Sequence, residues 1–138
     1  AVDHVAQQAL TIFGGVDAMV VVAPAERDQL PDWLADEADH QIALIRRATV
    51  AILPTMVAAG GGRVVYAVGG PAGGGLYESI DRAAARGAAH AVAVDLARQF
   101  ASRNVAFNVV DLTPVEPPTV PAPCAAILEF LAGEECWR

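Results

Sequence analysis

Apolar side chains recur at Val2, Val5, Ala6, Ala9, Leu10 and Phe13, the three-and-four spacing of one helix face. Gly14-Gly15 ends that pattern. Asp17 to Ala23 is then a continuous apolar run rich in β-branched residues, which suits a strand covered on both faces of a parallel sheet. Pro24 to Pro31 is polar loop sequence, and Asp32 caps a second helix that carries Ile42, Ile45, Ala48, Ile52 and Met56 along one side to Ala58. Pro54 falls near its end, where a proline bends a helix. Gly60-Gly61-Gly62 separates it from a second strand, Arg63 to Val68.

Gly69 to Gly75 (GGPAGGG) reads as a loop, and Ile80 to Ala101 as a long alanine-rich helix with Ala84, Ala88, Ala91 and Asp95 along one line. Asn104 closes that helix, and Val105 to Leu112 is the third strand. Residues 113–123 hold five prolines and form an irregular segment. Cys124 to Leu131 is a short helix ending at Gly133. This alternation predicts a single α/β domain over 1–138: a Rossmann-like parallel sheet with right-handed crossovers and helices on both faces. Three strands make an incomplete version of it, because such domains are built from two nucleotide-binding halves.

Composition narrows the chemistry. Net charge is −7 and all nine basic residues are arginines, so the chain lacks the basic footprint that nucleic acid requires. The longest apolar run, Ala18 to Ala25, is short of the roughly 20 residues a bilayer span needs, so no membrane partner is expected. Cys124 and Cys136, 12 apart and without a CxxC, read as thiols in a reducing cytoplasm. His4, His40 and His90 share no ligand spacing, and the Asp36, Glu37, Asp39 run reads as a solvated helix start. GGPAGGG lacks the Gly-Lys-Ser/Thr ending of a phosphate loop. There is no lysine, and the serines are Ser79 and Ser102.

Four segments together resemble the short-chain dehydrogenases/reductases. FGGVDAMVVVAPA (13–25) is similar to the segment leading into that family's fourth strand. ILPTMVAAGGGRVVYAVGG (52–70) resembles its helix end and serine-bearing strand. DLARQFASRNVAFNVVDLTP (95–114) resembles the passage from its catalytic helix into the next strand, and CAAILEFLAGEE (124–135) its later helix. All four occur in order and at the family's distances. The resemblance covers the second half of that fold; the glycine-rich turn that seats a dinucleotide pyrophosphate belongs to the first. Residues flanking 1–138 would complete the nucleotide half without returning what is replaced inside it.

The family works with asparagine, serine, tyrosine and lysine. The resemblance places Gln41 at the asparagine position, with His40 if the loop differs by one. It places Gly69 at the serine, Arg82 at the tyrosine and Arg86 at the lysine; Gly69 and Arg82 keep the family's interval of 13 residues. Tyr77 competes for the tyrosine, but the residue four further on is Asp81, which disfavours a phenolate. Arg86 alone fits a halide-displacing branch of the family, but Gly69 and Arg82 supply no hydroxyl, and arginine stays protonated. Arg82 and Arg86, one turn apart, suit a carboxylate or phosphate, or a structural pairing with Glu78 or a partner's carboxylate.

The resemblance therefore implies a catalytically silent subunit that binds no cofactor. It would pair with an active homologous NAD(P)-dependent dehydrogenase in a hetero-oligomer and stabilise it. The expected interface is the two long helices, through Ile45, Ile52, Met56, Ala84, Ala88, Ala91 and Asp95. The alternative is an active NAD(P)-dependent alcohol/ketone oxidoreductase with an atypical site built on Tyr77 or on a residue outside this segment.

Overall fold

The computed structural model describes residues 2–24, 37–69, 76–112, 127 and 129–132. The elements are α1 (Val2–Phe13), β1 (Ala18–Pro24), α2 (Glu37–Ala59), β2 (Gly62–Gly69), α3 (Leu76–Phe100), a 3₁₀ turn (Ala101–Arg103) and β3 (Val105–Asp111). The strands lie side by side in the order β1-β2-β3, all parallel. Ala18 pairs with Arg63, and Gly62 with Val105. This is the incomplete Rossmann-like sheet that the alternation predicts.

The core follows from the two-residue period of a strand. Val64, Tyr66 and Val68 of β2 join Val21 and Val105 on one face of the sheet. Ile45, Ala48, Ile52 and Met56 of α2 and Ala89 and Ala93 of α3 cover that face. The small alanines let α3 lie close to β2 and β3. On the opposite face, Arg63 donates to the Leu131 carbonyl oxygen at 2.6 Å. The helical residues 127 and 129–132 therefore belong to the second layer.

α3 and β2 meet their neighbours through two tight turns. A Cβ on Gly62 would sit 2.6 Å from the Met56 sulfur, so only glycine lets α2 return against the start of β2. Asn104 takes a left-handed conformation (φ 56°), and its carbonyl accepts from the Gly62 N–H at 3.1 Å. That bond ties the end of α3 to the end of α2.

Several expectations are corrected. α3 begins at Leu76 rather than Ile80, so Tyr77 lies in the first turn of a helix and not in a loop. β2 extends to Gly69, and β1 includes Pro24, whose missing N–H is tolerated at a strand end. α2 extends to Ala59, one residue beyond the expected end, with Pro54 inside it. Asp39–Ala59 is also long and apolar enough to cross a bilayer, with a mean hydropathy of 1.6. The longest unbroken apolar run missed this helix because polar residues interrupt it. Ile45, Ile52 and Met56 commit it to the sheet as a core helix. The start of α2 expected at Asp32, the proline-rich 113–123 segment and both cysteines fall outside the described residues.

Candidate functional site

Parallel pairing puts the carboxyl ends of the three strands on one rim, where Pro24 pairs with Gly69 and Val68 with Asp111. In open parallel α/β sheets this rim is where ligands bind. Four of the residues singled out in the sequence concern this rim.

Gly69 is buried at the end of β2 with φ 99°, a conformation that side chains rarely adopt. The backbone there favours glycine, so a serine would bring strain along with its hydroxyl. Arg86 lies on α3, and its Nη1 donates to Asp111 Oδ2 at the end of β3 at 3.0 Å. Both side chains are about two-fifths exposed, so water screens the pair. The guanidinium of Arg86 is thus held by a carboxylate of the same rim. Gln41 is buried on α2, whereas its neighbour His40 is exposed, which favours Gln41 as the inward residue. Arg82 lies on α3 one turn before Arg86; its side chain and that of Tyr77 are outside the described residues.

The described phenol, Tyr66, is elsewhere. It is fully buried in the middle of β2, with its hydroxyl 2.7 Å from Thr49 Oγ1 on α2. Thr49 Oγ1 in turn lies 2.8 Å from the Ile45 carbonyl oxygen, so the chain of bonds runs from phenol to threonine to carbonyl. Burial pushes the phenol above the ordinary tyrosine value, and the Thr49 bond partly offsets it. Phe107 packs beside the ring at 6.3 Å between centroids. Tyr66 is a core group facing α2, three residues before the rim.

Asp111 and the Tyr66–Thr49 pair were not singled out from the sequence. Asp111 had a signal: it is the one charge in the run VAFNVVDL. Tyr66 had none, because its partner lies 17 residues away on another element.

The expected interface residues divide. Ile45, Ile52 and Met56 are buried in the core of the chain itself, because they form the stripe of α2 that faces the sheet. Ile52 and Met56 are corrected as interface residues, whereas Ile45, although buried, also lines the groove between α2 and α3. Ala84, Ala91 and Asp95 are exposed and Ala88 is half-buried, whereas Ala85, Ala89 and Ala93 are the alanines that meet the sheet. Beside the exposed line runs an apolar groove of roughly 270 Å³ between α2 and α3, lined by Ile42, Arg46, Val50, Ala88, Val92 and Leu96 among others.

A parallel three-stranded sheet with helices on both faces is an incomplete Rossmann-like α/β fold, and solved structures narrow it further. The chain has the fold of the short-chain dehydrogenases/reductases. It is similar to a short-chain dehydrogenase from Streptomyces avermitilis, with 23% identity over 98% of this chain and 63% of that one (TM-score 0.64). A metagenomic short-chain oxidoreductase in complex with NADP matches at 15% identity over 93% of this chain and 61% of that one (TM-score 0.65). An NADH-dependent reductase complexed with NAD matches at 16% over 95% and 61% (TM-score 0.71). The chain therefore spans less than two thirds of the length of each. No protein-family model and no curated protein matches the sequence.

Proposed function

We propose that this chain is a catalytically silent, dehydrogenase-like subunit that pairs with an active homologous NAD(P)-dependent dehydrogenase and stabilises it. The observation that carries this reading is the Arg86–Asp111 ion pair on the strand rim. The position that needs a free ammonium to grip ribose and assist a phenol instead carries a guanidinium engaged by a carboxylate. Gly69 offers no hydroxyl, and its backbone disfavours one.

On this reading the cofactor belongs to the partner subunit, and this chain contributes surface. That surface is the α2–α3 groove, with Ile42 and Val50 joining Ile45 and taking the place of Ile52 and Met56 opposite the Ala84, Ala88, Ala91, Asp95 line. Small side chains on α3 permit close helix approach, and the apolar groove supplies area.

The test is calorimetry with NAD(H) and NADP(H) beside co-purification. The chain alone should release no binding heat, and a tagged chain should retain a dehydrogenase carrying an intact Tyr-x-x-x-Lys. Cofactor binding by the isolated chain would favour an active oxidoreductase instead. A chain that stays monomeric beside every dehydrogenase of its source would defeat the pairing.

A further inference from the structure

The outer face of α2 and α3 carries charges of both signs beside its apolar groove. The groove is bounded by Ile42–Val50 of α2 and Ala88–Leu96 of α3, so these stretches lie side by side. Both helices return the chain between neighbouring parallel strands and therefore run in the same direction. Val50 and Val92 stand open on this face, 69% and 36% exposed. Arg46, in the middle of the α2 stretch, is the charged residue of the lining. It is exposed, and no carboxylate among the described residues pairs with it. Asp95 is exposed on α3, three residues beyond Val92 and so on the same side of the helix. Its carboxylate accepts from Gln99 Nε2 at 2.5 Å and meets no cation among the described residues.

These two charges make the face complementary to itself. Arg46 lies level with Val92, the middle of the facing stretch, and Asp95 is about 4.5 Å further along the helix. A two-fold axis across the helices, midway between those levels, reverses the helix direction in a second copy. Arg46 of each copy then comes level with Asp95 of the other, and the contact is made twice, as in any isologous interface. The area is sufficient as well. Helices of 23 and 25 residues are about 35 Å long, and two of them at the ordinary spacing of about 8–10 Å present a face about 20 Å wide. That face offers roughly 700 Å² per copy, close to the roughly 800 Å² per partner of a stable interface.

We propose that the chain on its own forms a two-fold dimer through the α2–α3 face, held by apolar contact around Val50 and Val92 and by two reciprocal Arg46–Asp95 ion pairs. This rests on the reading above for the choice of face and adds its regulation. A second copy covers the surface until the active dehydrogenase takes its place, so pairing with that subunit proceeds by exchange.

The test is sedimentation velocity on the chain alone, from micromolar to hundreds of micromolar. The wild-type chain should sediment as a dimer whose population rises with concentration. Arg46→Asp or Asp95→Arg alone should weaken the dimer about tenfold or more, because each reversal sets like charges together at both pairs. Combining Arg46→Asp with Asp95→Arg should restore the dissociation constant to within about threefold of wild type. Val50→Asp, at an exposed site in the apolar part of the face, should leave a monomer with an unchanged circular dichroism spectrum. A monomer at every concentration, a dimer indifferent to the single reversals, or single losses that the combined variant does not rescue would each overturn the proposal. No dehydrogenase is in the experiment, so its failure leaves pairing with an active subunit open, and failed co-purification leaves this result standing.

Discussion

β1 and β2 have nearly the same composition and opposite fates. AMVVVAP and GRVVYAVG are both valine-rich and both parallel, yet Val64 to Val68 are 0% exposed while Val20 and Val22 stand open. The difference is position: β2 has a strand on each side, whereas among the described residues β1 pairs with β2 alone. Identical side chains should therefore carry different energies in the two strands, and substitutions can measure the gap.

The largest effect is expected beneath β2. Met56→Ala should cost about 2–5 kcal/mol in chemical denaturation, because the fully buried side chain fills the turn at Gly62 and a cavity would replace it. A matched pair of isosteric changes tests the comparison directly. Val65→Thr should cost about 1–3 kcal/mol by burying a hydroxyl among apolar neighbours, whereas Val22→Thr should stay within about 0.5 kcal/mol. Equal costs would mean that β1 is covered after all.

Next comes Tyr66→Phe, which removes the bond to Thr49 and should cost about 1 kcal/mol. The sign of its pH dependence follows from the raised phenol. The folded state holds the proton more tightly than the unfolded chain, so this contribution is complete below the ordinary tyrosine value of about 10. Stability then falls as pH rises through that value toward the folded one, and Tyr66→Phe should lack this alkaline fall. The smallest effect is expected at the rim. Arg86→Ala should change stability by less than about 1 kcal/mol, because the Asp111 pair is half in water, and salt should shrink the change further. Arg86→Lys should not give the isolated chain dehydrogenase activity, since Gly69 still supplies no hydroxyl.

Much of the rim was legible in advance because its replacements are matters of residue type. Glycine has no hydroxyl and arginine keeps its proton in any fold, so Gly69 and Arg86 could be judged by counting along the chain. Asp111 needed the sheet, since only the parallel register brings the end of β3 to within 3.0 Å of a side chain 25 residues earlier. Which helix faces lie outside was half legible. The line Ala84, Ala88, Ala91 and Asp95 does stand outside, but helical period gives a stripe without saying which side it faces. On α2 the stripe Ile45, Ile52, Met56 turned out to be the one the sheet consumes.

By itself the sequence determined the order of strands and helices, the parallel sheet and which side-chain chemistry Gly69 and Arg86 can offer. Each of these rests on local period or on what a side chain is made of. Only the tertiary structure decided which α2 face is buried, that Arg86 is engaged by Asp111, that Tyr66 is a core phenol, and that Val20 and Val22 stand more open than the valines of β2. Those are distances between residues far apart in the chain, and a period of 3.6 or 2 carries no information about the neighbour that a face will meet.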